Sequence, residues 1–197
     1  MAKAHLTLQR LIGKEIQLEP IEEHHYKFLR DAANDERIWY YMPMKAYGEF
    51  FDDWFHEIII KQEHGSQLTY IVRRLLDQRV VGSSAYYDIE LCHKRLEVGY
   101  SWFSPDVWGS RVNHESLWLL LEQAFEQWQF NRIQVAADPN NKRSYNTLKK
   151  LGATEEGLLR QHMMHHHGLI TDTVIFSILA NEWPVLKEKL WTRMYAQ

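Results

Sequence analysis

Trp108-Gly109-Ser110-Arg111-Val112-Asn113 is the stretch of this 197-residue chain that decides the fold. A glycine turn stands there directly before residues 113–128, whose apolar side chains fall on one helical stripe: Leu117, Leu120, Leu121, Ala124, Phe125 and Trp128. The first N–H groups of a helix have no carbonyl partner, and the helix dipole is positive at that end. The stretch therefore predicts an anion-binding turn that opens an amphipathic helix.

Several short motifs surround this turn. Before it stands Glu97-Val98-Gly99-Tyr100-Ser101-Trp102, and after it come Asn141-Lys142-Arg143-Ser144 and Leu151-Gly152-Ala153. Further along are Gly157-Leu158-Leu159-Arg160, Gly168, Asp172 and Glu182-Trp183. In this order and spacing the motifs resemble, over about residues 8–184, those of the GNAT superfamily of N-acetyltransferases. The resemblance is greatest to its Rim-type branch, the ribosomal-protein N-terminal acetyltransferases.

The resemblance implies a site for acetyl-CoA as co-substrate. It places the pyrophosphate at the turn formed by Trp108, Gly109, Ser110, Arg111, Val112 and Asn113. It places the thioester carbonyl against the backbone of Trp102 and Phe103, beside a strand bulge, and the pantetheine arm near Asn141 and Ser144. Backbone N–H groups on that strand would then stabilise the developing oxyanion.

Two side chains are predicted to be catalytic. Glu97 occupies the position of a glutamate on the same strand in Rim-type enzymes and would accept a proton from the amine. The alternative interpretation is that Glu97 is an exposed strand residue without a catalytic role. Ser144 would stabilise the departing thiolate; its alternative is a helix-surface residue. Many GNAT proteins carry a tyrosine four positions later, where this chain has Leu148. Tyr145 should face about 100° away from Ser144 on a helix.

Arg111 departs from the superfamily pattern, which has a glycine or a small residue at this place in the turn. A side chain there either blocks the approach of a phosphate or, if it is directed outward, adds a cation to the anion site. We expect the second outcome.

The resemblance implies that one wall of the acceptor cleft is formed by an aromatic segment between the first two helices, Trp39-Tyr40-Tyr41-Met42-Pro43-Met44. Tyr40 and Tyr41, together with Trp102 and with Tyr86 or Tyr87, are expected to line a cleft for a peptide or an aromatic amine. His165-His166-His167 predicts no metal site, because consecutive strand residues point to opposite faces.

Composition limits the remaining functions. The net charge of −3, the pI near 6.4 and the lack of a lysine-rich run argue against nucleic-acid partners. No apolar run reaches the length of a membrane span, and residues 1–15 do not have the pattern of a signal peptide. Cys92 is the only cysteine, which fits a reducing compartment. A cytoplasmic protein that is a monomer or a homodimer is expected.

The patterns predict one α/β domain over residues 1–197, with a mainly antiparallel sheet, one parallel strand pair and flanking helices, and the resemblance implies that the parallel pair splays apart. Strands are expected within residues 6–18 and over 68–75, 79–89, 95–103 and 132–137, with a final hairpin over 155–179. Helices are expected over 21–33, 47–64, 113–128 and 141–151, with a short one at Glu182-Trp183-Pro184 after an Asn181 cap.

The predicted function is direct transfer of an acetyl group from acetyl-CoA to a primary amine, and foremost to the α-amine of a protein or peptide. Two alternatives stay open. One is an acetyltransferase for a small amine such as a polyamine, an amino acid or a drug. The other is an acyl-CoA-binding regulator without catalysis. Arg111, which departs from the turn pattern, and Leu148, which stands where many GNAT proteins have a tyrosine, are compatible with it.

Overall fold

The computed structural model describes residues 6–196, in which alternating apolar residues form eight strands of one sheet. The strands are β1 (Leu11–Ile12), β2 (Ile16–Pro20), β3 (Gln67–Arg74), β4 (Val80–Glu90), β5 (Arg95–Phe103), β6 (Arg132–Ala137), β7 (Thr154–Met164) and β8 (Ile170–Leu179). Their order across the sheet is β1-β2-β3-β4-β5-β6-β8-β7. Every neighbouring pair is antiparallel except β5 and β6.

Five α-helices cover the sheet: α1 (Tyr26–Ala33), α2 (Phe51–Glu63), α3 (Val112–Glu122), α4 (Lys142–Leu151) and α5 (Trp183–Tyr195). A π-helical turn, Gln123–Gln127, continues α3. Helices α3 and α5 pack on one face of the sheet, against Leu96, Val98 and Ile133. On the other face, α1, α2 and the loop that joins them enclose a second core with Ile71 and Trp102.

The parallel pair separates soon after it forms. Pairing between β5 and β6 runs only from Arg95 with Arg132 to Glu97 with Gln134. Beyond that point residues 98–103 of β5 and 135–137 of β6 have no partner across the gap, while β6 stays paired with β8 along its whole length. A wedge-shaped gap therefore opens in the middle of the sheet.

A β-bulge directs β5 away from β6. Ser83 on β4 pairs with Trp102 and Ala85 pairs with Gly99, so that Ser84 alone faces Tyr100 and Ser101. Tyr100 takes a φ of 47°, a left-handed conformation that side chains rarely adopt. The additional residue reverses the alternation of side chains. Val98 and Phe103 therefore lie in the α3 core, whereas Trp102 packs on the opposite face.

The predicted fold class is confirmed: the sheet is mainly antiparallel, with one splayed parallel pair and helices on both faces. Some predicted bounds are wrong. In residues 6–18 only Leu11–Ile12 and the start of β2 are strand. Helices α1 and α2 begin at Tyr26 and Phe51, after 3₁₀ turns, rather than at residues 21 and 47.

The last helix is much longer than predicted. It runs from Trp183 to Tyr195, and its N-cap is Glu182 rather than Asn181. Its length follows from packing, since Trp118 of α3 contacts both Trp183 and Trp191 of α5. Trp118 and Trp191 therefore pack against each other inside this chain.

A substitution at Gly82 on β4 tests how closely β4 and the end of β5 must approach each other. A Cβ at Gly82 would overlap the carbonyl oxygen of Trp102 and lie 2.7 Å from Cδ1 of Phe103. Because the first contact is with backbone, we expect Gly82→Ala to lower the free energy of unfolding by about 2 kcal/mol or more. Urea denaturation measures this loss. The control is Gly157→Ala on β7, where a Cβ meets nothing within 4 Å. Equal effects of the two changes would contradict the close approach.

Candidate active site

The gap between β5 and β6 opens into a cavity of about 610 Å³. Residues from both faces of the sheet line it, including Asn113 and Leu117 of α3 on one side and Tyr41, Met42 and Pro43 of the α1–α2 loop on the other. The first turns of α3 and α4 and the β7–β8 hairpin complete its wall. Two different molecules can therefore reach the same point in the sheet from opposite faces.

The glycine turn forms one end of this cavity. Gly109 has a φ of 77°, and no atom lies within 4 Å of the place where a Cβ would be. Ser110 shapes the turn because its hydroxyl donates to the carbonyl of Val107 (2.6 Å) and accepts from the N–H of Val112 (3.3 Å). Trp108, Gly109, Ser110 and Asn113 line the cavity as expected, whereas Val112 is buried behind the turn.

Arg111 lies elsewhere than predicted. Its guanidinium makes an ion pair with Glu15 (2.9 Å) and lies 5.6 Å from the centre of the Tyr195 ring, outside the residues that line the cavity. The expectation that it adds a cation to the anion site is corrected, because Glu15 on the β1–β2 turn draws the side chain away. Two other cations lie at this end of the cavity: Arg143 of α4, whose guanidinium stacks 4.1 Å from the centre of the Trp108 ring, and Arg37, whose guanidinium lies 5.8 Å from the same centre.

Glu97 lies where β5 and β6 part. It is the cross-strand partner of both Tyr87 and Gln134. One carboxylate oxygen accepts a hydrogen bond from the Tyr87 hydroxyl, and the other accepts from Nε2 of Gln134 at 2.8 Å. Burial and the charge of Glu97 raise the pKa of Tyr87 far above its usual value, so this phenol stays a donor. Glu97 is only 8% exposed and lines the cavity, so it is not an exposed strand residue.

Ser144 lines the cavity from the first turn of α4. Asn141 begins this helix, since its side-chain oxygen accepts from the N–H of Ser144 at 3.1 Å. Leu148 lines the same wall one turn later. Tyr145 faces away as predicted, because its hydroxyl donates to Glu155 at 2.8 Å and its ring packs against Phe176. Asn141 and Ser144 therefore share one wall of the cavity.

The free edge of β5 supplies backbone groups to the cavity. Trp102 and Phe103 both line it, and the bulge lies one to two residues before Trp102, at Tyr100 and Ser101. Trp102 is 3% exposed, and its indole N–H has no hydrogen-bond partner among the described residues. The bulge leaves this part of β5 unpaired towards β6, so its N–H groups can serve a ligand.

The tyrosines predicted for the acceptor wall, which are Tyr40, Tyr41 and either Tyr86 or Tyr87, take different places. Tyr41 lines the cavity, whereas Tyr40 is 57% exposed and lies outside the lining. The prediction for Tyr86 is wrong. It is fully buried in the α3 core, and its hydroxyl donates to the carbonyl of Leu120 at 2.7 Å. Its neighbour Tyr87 lines the cavity instead, because successive strand residues face opposite sides.

Sequence reasoning missed a buried pair at the edge of the gap. Asp138 follows β6 directly, and its Oδ2 lies 3.2 Å from Nε2 of His165 in the β7–β8 turn. The same ring nitrogen lies 2.9 Å from the hydroxyl of Thr171. His166 and His167 contact the carbonyl oxygens of Trp39 and Tyr40. The three histidines thus point to different partners, and residues 6–196 contain no cluster of three or more side chains suited to a metal ion.

Comparison with known proteins places this architecture in a family. The acetyltransferase (GNAT) domain family matches residues 15–154. The chain therefore belongs to the GNAT acetyltransferases, which confirms the predicted resemblance.

One curated relative is named for a ribosomal activity. The chain is 27% identical over 109 residues to the Bacillus subtilis protein named "Putative ribosomal N-acetyltransferase YdaF", over 55% of this chain and 58% of the relative. The curated relatives that lead the comparison are matched over only about three fifths of their own length, 57–60%.

Solved structures agree over nearly the whole chain. The crystal structure of a "putative acetyltransferase" from T. thermophilus is similar with a TM-score of 0.85 and 27% identity, covering 97% of this chain and 100% of that one. Mycobacterium smegmatis RimJ, solved in complex with CoA-disulfide, has a TM-score of 0.78 at 19% identity and covers 90% and 88% of the two chains. The similarity to RimJ shows a shared fold and nothing more. Within residues 6–196 no helix combines the length and the apolar character needed to cross a bilayer.

Arg111 and Arg143 allow the anion end to be tested. Since the Arg111 side chain leaves the cavity, we expect Arg111→Gly to keep the acetyl-CoA dissociation constant within about twofold, as for loss of a surface ion pair. Arg143→Gln should weaken it about tenfold, through loss of one charge-assisted contact of about 1.5 kcal/mol. Isothermal calorimetry measures both. Clearly tighter binding by Arg111→Gly would mean that Arg111 obstructs the turn.

Proposed function

We propose that this protein transfers the acetyl group of acetyl-CoA directly to a primary amine, and that the amine is the N-terminal α-amine of a protein or peptide. The observation that carries the proposal is the cavity through the sheet. It joins a turn rich in backbone N–H groups to an aromatic loop on the opposite face, and a buried carboxylate, Glu97, lies where the strands part.

The residues present fit acetyl-CoA. Gly109 leaves open space at the start of α3, so a pyrophosphate can approach the backbone N–H groups of Gly109 and Asn113, whereas the N–H of Ser110 already donates to the carbonyl of Val107. The unpaired edge of β5 offers N–H groups to the thioester carbonyl and to the amide-bearing arm behind it. Asn141 and Ser144 face that edge from α4. When bound, the thioester supplies an activated acetyl group with a thiolate as leaving group.

The chain's own groups then have three tasks. Glu97, held by Tyr87 and Gln134, accepts a proton from the amine nitrogen. Backbone N–H groups beside Trp102 and Phe103 stabilise the oxyanion, and removal of one such donor typically costs about 3 to 4 kcal/mol. The Ser144 hydroxyl donates a hydrogen bond to the departing thiolate. No covalent intermediate on the protein is needed.

The cost of deprotonation favours an α-amine. An α-amine with a pKa near 8 costs roughly 1.4 kcal/mol to neutralise at pH 7, whereas a lysine with a pKa near 10.4 costs about 4.6 kcal/mol. A single buried carboxylate suits the smaller cost. The name of the Bacillus subtilis relative, which refers to ribosomal N-acetylation, and the aromatic wall at Tyr41 further support a protein or peptide acceptor.

The charges around the cavity disfavour a polyamine. Glu22, Glu23, Asp52 and Asp53, which could have formed an acidic cleft, lie outside its lining. The carboxylates that line it are Asp88, Glu97 and Asp138; Asp88 is paired with Arg95, and Asp138 contacts His165. Arg37 and Arg143 line the same cavity. A polycation would therefore meet no strongly negative surface.

Turnover with a defined amine class tests the proposal. In one preparation, acetyl-CoA is titrated by calorimetry and thiol release is followed with N-terminal peptides, lysine peptides and polyamines. We expect binding and steady thiol release with the N-terminal peptides. Thiol release with polyamines alone would mean that the acceptor is a small amine and not a protein N-terminus. Binding without release for any amine would support a non-catalytic regulator.

Glu97→Gln and Ser144→Ala test the two catalytic side chains. We expect Glu97→Gln to lower kcat about 10²-fold or more and to leave acetyl-CoA binding unchanged, because the amide keeps the shape but cannot accept the proton. Ser144→Ala should lower kcat by a smaller factor, about tenfold, through loss of one hydrogen bond. Glu63→Gln at the exposed end of α2 is the matched control. Unchanged kcat in Glu97→Gln would remove this residue from the mechanism.

A further inference from the structure

A second, smaller cavity lies beside the main one, on the face of the sheet that α2 covers. It measures about 190 Å³, and residues of β3, β4, β5, α2 and the α1–α2 loop line it. Three of these residues, Pro43, Tyr100 and Trp102, also line the main cavity. This side pocket therefore adjoins the main cavity at the bulge of β5.

The side pocket lies close to the point of transfer. Glu97 pairs with Tyr87, and Ala85, which lines the pocket, stands two residues before Tyr87 on β4. Alternate residues of a strand face the same side of a sheet, and two residues span about 7 Å. Ser83, which also lines the pocket, is the cross-strand partner of Trp102. The pocket is therefore next to both the buried carboxylate and the unpaired edge of β5.

The sheet side of the pocket is polar although it is buried. Gln67, Thr69 and Ser83 lie there and are 6%, 1% and 2% exposed. Nε2 of Gln67 donates to the hydroxyl oxygen of Thr69 at 3.0 Å, which leaves the Gln67 amide oxygen as an acceptor and the Thr69 hydroxyl hydrogen as a donor. Within residues 6–196, neither that amide oxygen nor the Ser83 hydroxyl is among the enclosed side-chain atoms that lack a partner, so a group in the pocket can reach them.

The other walls of the pocket are apolar, and its mouth has no net charge. Trp54 and Ile58 of α2 are buried on the side that faces the sheet. Glu57 and Lys61 on the same helix are partly exposed and form an ion pair at 2.5 Å, so each neutralises the other. A charged side chain that entered would find no unpaired counter-ion. At about 30 Å³ for each water-sized group, the pocket has room for about six such groups.

We propose that the side pocket binds the side chain of the acceptor's second residue and selects a small, uncharged side chain that forms hydrogen bonds, such as threonine or serine. The inference rests on the proposed acetylation of an N-terminal α-amine. The reacting nitrogen must lie beside Glu97 and the edge of β5, which keeps the first residue in the main cavity. The second Cα lies about 3.8 Å further along the peptide, so its side chain is the first that can pass Tyr100 and Trp102.

Two peptides that differ only at the second residue test this selection in the unaltered protein. Alanyl-threonyl and alanyl-valyl peptides carry side chains of nearly the same shape, but only threonine can form hydrogen bonds with the polar side of the pocket. We expect kcat/KM to be about tenfold higher for the threonyl peptide, mainly through a lower KM, because valine leaves buried polar groups unpaired. An alanyl-tryptophanyl peptide should be as poor as the valyl peptide, since its side chain exceeds the pocket.

Variants of the pocket test which residues carry the preference. We expect Thr69→Val and Ser83→Ala each to lower the threonyl-to-valyl ratio to about threefold, and the double variant to bring it close to one. Ala85→Leu should fill the pocket and lower kcat/KM for the threonyl peptide to about the value for the valyl peptide. Thr154→Val is the matched control, because it makes the same chemical change at an exposed position of β7 and should keep the tenfold ratio.

The outcomes separate this inference from the proposed function. Thermal unfolding and acetyl-CoA calorimetry first establish which variants keep the fold and the coenzyme site. Equal kcat/KM for the threonyl and valyl peptides in the unaltered protein would overturn the inference, and so would a preference for a charged second residue. A tenfold ratio that survives in the double variant would also overturn it. Failure of the unaltered protein to acetylate any N-terminal peptide would instead overturn the proposed function.

Discussion

The site depends on one constraint, the early end of the parallel pairing between β5 and β6. Two adjacent strands normally satisfy each other's backbone groups along their shared length. Here the ladder stops at Glu97 and Gln134, and the bulge at Tyr100 carries β5 away from β6. The unpaired edge that results would be costly in a closed core. It is tolerated because the gap is a cavity in which a ligand with its own amide groups can take the place of the missing strand.

The same bulge decides which side chains reach which face. Without the additional residue, Trp102 would follow Leu96 and Val98 into the α3 core. With it, Trp102 joins the aromatic core beneath the α1–α2 loop, next to Trp39 and Trp54, and Phe103 takes the place on the α3 side. One irregular residue therefore gives β5 an unpaired backbone edge along the cavity, places the indole of Trp102 on the side of the α1–α2 loop and leaves Glu97 in regular pairing with Gln134. The left-handed φ of Tyr100 is a strained conformation, and the bulge that produces this arrangement requires it.

Sequence patterns predicted what depends on local periodicity and failed where tertiary packing decides. The sequence predicted the amphipathic stripe of α3, the Asn141 cap and the turn at Gly109. It also predicted that β5 and β6 are parallel. The choice between Tyr86 and Tyr87 could not be made from the sequence, because a face assignment on β4 needs the register with β5. Arg111 was misplaced because its partner, Glu15, lies far away in sequence. The Asp138–His165 contact was missed for the same reason.

The first turn of α3 shows how the fold keeps an acidic side chain away from the glycine turn. Glu115 lies in that turn, where an acidic side chain would normally compete with an anionic ligand for the helix terminus. Its carboxylate is instead fully buried on the side away from the cavity and accepts hydrogen bonds from the backbone N–H groups of Lys14 and Glu15. Arg111 reaches the same β1–β2 turn through Glu15. The charged side chains of Arg111 and Glu115 are thus paired with groups of the β1–β2 turn, which holds the start of α3 in place and leaves the N–H groups of Gly109 and Asn113 without a partner among the described residues.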